Sequence, residues 1–139
     1  MIESADEYER LRKSLDHKES ERCIYDTAPL DVWFEVIRRW SGPETKTKSW
    51  VIHNKTIPLE VLAYLANDED RDVREDVASK RKLSLPLFEK LSRDINKYVR
   101  RAIAGNPKVP IHILERLADD DSEEVSEVAR RHLERLGSK

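Results

Sequence analysis

Apolar positions return along this chain at a fixed interval. Val51, Val77 and Ile103 are each 26 residues apart. The same interval links Ile57, Leu83 and Val109, then Leu59, Leu85 and Ile111, then Leu62, Phe88 and Leu114, then Leu65, Leu91 and Leu117, and finally Val73, Val99 and Val125. A polar position keeps the same step, with Asp68, Asp94 and Asp120 in register. A period of this size describes a small supersecondary unit that cannot bury its own apolar face and stacks on its neighbours.

Within a unit the pattern predicts two short helical pieces. In the central copy the first runs from about Ser84 to Ser92, where Leu85, Phe88 and Leu91 recur at helical spacing and Leu87 widens the stripe. The second surrounds Val99 to Ala104. Pro58, Pro86 and Pro110 fall in the first turn of the first piece, where a missing N–H is harmless. Asp68, Asp94 and Asp120 fall at the handover between the pieces, suited to capping or to closing a turn. Gly105, Asn106 and Pro107 mark the break between units.

A fourth, degenerate copy lies upstream: Thr27 to Trp33 match Thr56 to Leu62 at an offset of 29. The three extra residues belong to a polar insertion, Ser41 to Ser49, read as a loop. Ahead of it, Ala5 to Leu15 predicts a charged helix with Tyr8, Leu11 and Leu15 as its narrow apolar stripe, capping the N-terminal end. At the other end Val125, Val128, Ala129, Leu133 and Leu136 predict a closing amphipathic helix. The expected architecture is an all-α, single-domain solenoid over residues 1–139: a cap and degenerate repeat over 1–50, three repeats over 51–128, and a capping helix over 125–139. In such a stack Glu75, Arg101 and Glu127 form an alternating charge column, with Arg93 over Asp119 as a second.

Composition adds limits. Of 139 residues 39% are charged and 38% hydrophobic, a balance that fits thin layers exposing two faces, while the net charge of −2 and the regular spacing argue against disorder. Cys23 is the single cysteine, which excludes a disulfide framework or a thiolate cluster and suggests a reducing cytoplasm. The N-terminal residues lack an apolar signal core, and no run reaches membrane-spanning length, so a cytoplasmic chain with no membrane partner is expected.

The strings Val99 to Pro110 and Leu114 to Asp120 resemble the leucine-rich repeat variant family, whose pattern runs Val-Arg, an apolar-Ala pair, Asn-Pro, Thr-Pro, then Leu, Leu-Ala and Asp. The likeness extends to Val73-Arg74, Val77-Ala78, Asn54, Pro58, Leu62, Leu65, Ala66 and Asp68. It implies a right-handed superhelix broadly like HEAT and armadillo arrays. Asn-Pro is intact only at Asn106-Pro107, with Lys80-Arg81 in its place in the middle unit. Some members carry an N-terminal iron–sulfur segment, which one cysteine cannot supply here.

Candidate chemistry is sparse. His17, His53, His112 and His132 lack metal-ligand spacing and are expected at the surface or in turns. Asp119-Asp120-Asp121 lacks the glycine and closing glutamate of a calcium loop, so a solvated cap is expected. Cys23 aligns with Ile52, Ala78 and Ala104, as a buried inert thiol would. Trp33 is expected in the core, and Trp40 and Trp50 to seal the first unit against the second rather than to form an aromatic patch. No catalytic residue, cofactor, metal or small-molecule substrate is expected.

Charge gives one lead: residues 71–108 hold eleven basic and five acidic side chains, and residues 109–139 five and eight. The expected function is non-enzymatic binding of another protein, with Arg74, Lys97, Tyr98, Arg100 and Arg101 as the candidate contact residues. The alternative is nucleic-acid binding through the same basic strip, including an enzyme resembling HEAT-like repair glycosylases.

Overall fold

A computed structural model describes residues 1–39 and 46–137. The described residues form ten α-helices and no strand: α1 Ala5–Lys13, α2 His17–Tyr25, α3 Leu30–Arg39, α4 Thr47–Ile52, α5 Leu59–Leu65, α6 Arg71–Ala78, α7 Leu85–Ser92, α8 Lys97–Gly105, α9 Ile111–Leu117 and α10 Glu123–Gly137. They fall into two compact units, 1–62 and 63–139, the division lying within α5. In the first, α1 packs on α2 and α3, and α3 on α4; in the second, α8 packs on α6, α7, α9 and α10.

The odd-numbered helices from α3 to α9 share a sequence register. Each buries a doublet and a third residue one turn on: Val32, Trp33 and Val36; Val61, Leu62 and Leu65; Leu87, Phe88 and Leu91; Ile113, Leu114 and Leu117. Burying such a triplet removes several kcal/mol of apolar surface from water per helix, of order 1.5–3 kcal/mol per side chain. Leu85 is not part of that stripe. At 100° per residue it lies about 110° from the stripe centre, and Leu30, Leu59, Leu85 and Ile111 are 41, 45, 52 and 56% exposed.

Helix starts follow the same register. The carbonyls of Pro29, Pro58 and Pro110 accept the first intrahelical bonds, from the N–H groups three and four residues on, at 3.0 to 3.3 Å. These prolines therefore precede their helices instead of lying inside the first turn. Their central equivalent is Ser84, and Pro86 is the proline that lies within a first turn.

The even-numbered helices bury Val51, Val77 and Ile103, each fully. Cys23, Ile52, Ala78 and Ala104 are buried beside them, as the alignment required. That equivalence also marks α2 as a further even-numbered helix, which the apolar pattern did not reveal because its only buried residue is Cys23. Asp68, Asp94 and Asp120 each accept through Oδ1 the N–H two residues on, at 2.9 Å, and so close the turn before α6, α8 and α10. Asp70 and Asn96 then cap α6 and α8.

Several expectations require correction. Leu15 is fully exposed, because α1 ends at Lys13 and its core comes from Ala5, Tyr8 and Leu11. The expected loop to Ser49 is helical from Thr47; residues 41–45, and Trp40, lie outside the described residues. Trp33 is fully buried, edge-on to Tyr8 with ring centres 5.8 Å apart. Trp50 is 48% exposed and seals nothing. In α10, Leu136 is 40% exposed and His132 is buried in its place.

His132 is a repeat position rather than a surface residue. Its Nδ1 lies 2.9 Å from the carbonyl of Ala104, as Asn106 Nδ2 lies 2.8 Å from that of Ala78. Both pairs span 28 residues, and His132 follows Asn106 by 26. Asn54 makes the matching bonds in the first unit, donating to Cys23 and Asp26 carbonyls at 2.8 and 3.0 Å. A buried side-chain donor thus satisfies the carbonyls left open at the end of the preceding even-numbered helix.

Candidate functional site

The five candidate residues divide into two groups. Arg74 on α6 and Arg100 on α8 are turned into the turns between helices, with 14 and 15% of their side chains exposed. Arg74 donates from Nε and Nη2 to Asp94 at 2.8 and 3.2 Å, and from Nη1 to the carbonyls of Asp68 and Glu69 at 2.7 and 3.1 Å. Arg100 repeats the arrangement 26 residues later on Asp120, Asp94 and Ile95, at 3.0 and 3.2 Å and then 2.8 and 3.2 Å. Each guanidinium fork is saturated by one carboxylate and two carbonyls. Burial raises the Asp120 carboxyl, and the bonds from Arg100 and the Ser122 N–H more than offset it, leaving the group below the ordinary carboxylate range.

Lys97, Tyr98 and Arg101 form a different arrangement on the first turns of α8. The Tyr98 ring carries three cations near its centre: Arg71 at 4.7 Å, Arg101 at 5.0 Å and Lys97 at 5.3 Å. Such contacts are worth about 0.5–1 kcal/mol each where exposed. Glu124 on α10 accepts from Lys97 at 2.9 Å and lies 3.7 Å from Arg101. Lys97 holds this carboxyl below its usual range and is itself raised by the same bond. Arg71 pairs with its exposed neighbour Asp72 at 3.4 Å. One bridging carboxylate therefore serves two of the three cations.

Beside this cluster a groove of about 900 Å³ runs past Ile95, Tyr98, Asp121, Glu123 and Glu127. Ile95 is 93% exposed at its edge. The surface is thus an aromatic ring and an aliphatic side chain between a basic rim and an acidic one.

Arg71 and Glu124 were not among the sequence candidates. Both lie on other helices than α8, and only the fold brings them to Tyr98. The expected charge columns do not form: Arg101 bonds Glu124, Glu127 bonds Arg131, and Arg93 lies 3.8 Å from Glu89. The pairing instead joins positions 20 residues apart, Arg74 with Asp94 and Arg100 with Asp120. A recurrent arginine facing a recurrent aspartate, both at the 26-residue step, is the signal that could have shown it.

Other chemistry is quiet. Burial foremost pushes the Cys23 thiol up to about 11, and its Sγ–H donates to the Tyr8 carbonyl at 3.6 Å. His112 Nε2 lies 3.0 Å from Glu89 on the surface. Among the described residues no three His, Cys, Asp or Glu gather as a metal site, and no helix is long and apolar enough to cross a membrane. No family model, curated protein or solved structure matches the chain.

Proposed function

We propose that the chain is a non-enzymatic binding module for another protein, built as a right-handed solenoid of 26-residue helix pairs of the leucine-rich repeat variant type. The observation that carries the binding reading is Tyr98 among Arg71, Lys97 and Arg101 with only Glu124 bridging them. Glu124 occupies the place an incoming carboxylate takes. The exposed Ile95 and the Tyr98 ring offer apolar area beside it. The partner is accordingly an acidic segment that also carries a large apolar side chain. The acidic groove residues Asp121, Glu123 and Glu127 oppose a polyphosphate backbone, which favours protein over nucleic acid.

A peptide array that varies acidic and apolar content tests this. Acidic-apolar peptides should be enriched over basic and scrambled ones, and Tyr98→Ala combined with Arg101→Glu should weaken them by about tenfold or more at unchanged helicity. Equal capture by that double variant rejects the surface. Arg74 and Arg100 are unsuitable for such a test, since their substitution disturbs the turns they hold.

A further inference from the structure

The first unit contains a second concave feature of different chemistry. A cavity of about 510 Å³ is bordered by Cys23, Tyr25, Lys46, Trp50, His53 and Lys55. Its size falls within the range of small-molecule sites, roughly 300–1,000 Å³. Its wall is mostly carbon. Cys23 is 4% exposed, whereas Tyr25 and Trp50 keep 61 and 48% of their surface open.

Two exposed aromatic side chains at one cavity are unusual in a chain with so few, and they carry large apolar faces for a flat partner. The charged border is one-sided: two lysines and a histidine, with no aspartate or glutamate. His53 Nδ1 lies 2.6 Å from the Ser49 carbonyl, which places the ring proton on Nδ1 and leaves Nε2 as its second polar atom.

The cavity is also held in shape before anything binds. The Lys55 N–H donates to the Ile24 carbonyl at 2.6 Å, and Asn54 donates to the Cys23 and Asp26 carbonyls, so the 23–26 and 54–56 segments are tied together at its edge. Preformed walls reduce the ordering cost of binding. Lys46, at the border, has a φ of 50°, the one positive value at a non-glycine position among the described residues. A side chain kept in that conformation at a cavity rim is the kind of local strain that accompanies a site.

We propose that this cavity binds a small organic acid built on a flat apolar ring system, the ring against Trp50 and Tyr25 and the anionic group between Lys46 and Lys55. A neutral ring forfeits the ion pairing, and a purely hydrophilic anion forfeits the apolar wall. Size separates this site from the groove at Tyr98, which lies in the other unit and is lined by carboxylates.

The test is titration of the full chain, labelled with nitrogen-15, with benzoate, 2-naphthoate, indole-3-acetate and anthraquinone-2-sulfonate, following the indole N–H signals of the tryptophans. The expected result is a saturable shift of the Trp50 signal, assigned through Trp50→Phe, with at least one of the acids. Binding of that acid should weaken by about tenfold or more for its neutral amide and for the Lys46→Gln/Lys55→Gln variant. That variant changes only surface charge, so its fold is checked by an unaltered spectrum elsewhere. No saturable Trp50 shift with any of the four acids overturns the proposal, as does equal affinity for acid and amide or for wild type and the lysine variant.

Discussion

Arg100 holds Asp120 with two hydrogen bonds, at 3.0 and 3.2 Å, while its remaining nitrogen reaches the carbonyl of Asp94 at 2.8 Å. The carboxylate of that same Asp94 is held by Arg74. Consecutive turns of the second unit are therefore laced through one residue that accepts from both arginines, by side chain and by backbone.

Removing either arginine strands a carboxylate that is 10% exposed or less, together with two carbonyls. Arg100→Ala is expected to cost about 2–4 kcal/mol, less than a fully buried pair because water retains some access. Arg100→Lys keeps the charge, loses the fork and should recover only part of it. The double variant Arg74→Ala/Arg100→Ala should depart from additivity, since both act on Asp94. Urea unfolding of the four proteins measures this; a loss under about 0.5 kcal/mol for Arg100→Ala shows the clamp to be idle.

His132 occupies the position of Asn106 in the next repeat and bonds the equivalent carbonyl. His132→Asn is expected to stay within about 1 kcal/mol of wild type, whereas His132→Leu leaves the Ala104 carbonyl unpaired and should lose about 1–3 kcal/mol. Thermal unfolding separates the two. Equal losses for Asn and Leu show that ring volume, not the hydrogen bond, fills the site.

Tyr8 is fully buried, and its hydroxyl has no hydrogen-bond partner. Tyr8→Phe keeps the edge-on contact with Trp33 and removes the unpaired group, so it should leave stability unchanged or raise it by up to about 1 kcal/mol. A clear fall in melting temperature identifies a partner for that hydroxyl.

Acid sensitivity follows from Asp120. Its folded pKa lies below the ordinary 3.8, so its contribution is complete above that value and is lost as pH falls through the folded pKa. Urea midpoints should fall on acidification below about pH 4. Asp120→Asn should lower the midpoint at neutral pH and flatten that fall. An identical acid profile in the variant removes Asp120 from the account.

The helical class and the core columns were legible because each depends on spacing alone. Val51, Val77 and Ile103 share a period, and all three are fully buried. The degenerate copy was legible for the same reason, with Trp33 buried where Leu62 is. What spacing does not carry is direction around a helix. Leu85 has the right interval from Phe88 and points elsewhere, since three residues turn a helix by about 300° and the stripe centre lies beyond. Helix α2 escaped because one cysteine is a weak apolar signal in a charged stretch. The candidate contact residues were chosen by charge, and charge does not distinguish a guanidinium saturated by Asp120 from one resting on Tyr98. Arg71 and Glu124 reach Tyr98 from separate helices, a convergence that only packing decides.

The central claim is that the helix pairs are equivalent units, and excising one tests it most directly. Deletion of residues 78–103 joins Val77 to Ala104, whose equivalents they replace, and brings Arg74 into register with Asp120 as it had been with Asp94. The account predicts a soluble monomer with the same helicity per residue, cooperative unfolding, and a stability that drops again by about 2–4 kcal/mol on Arg74→Ala. A shortened chain that lacks helicity or unfolds without cooperativity contradicts the equivalence of the repeats.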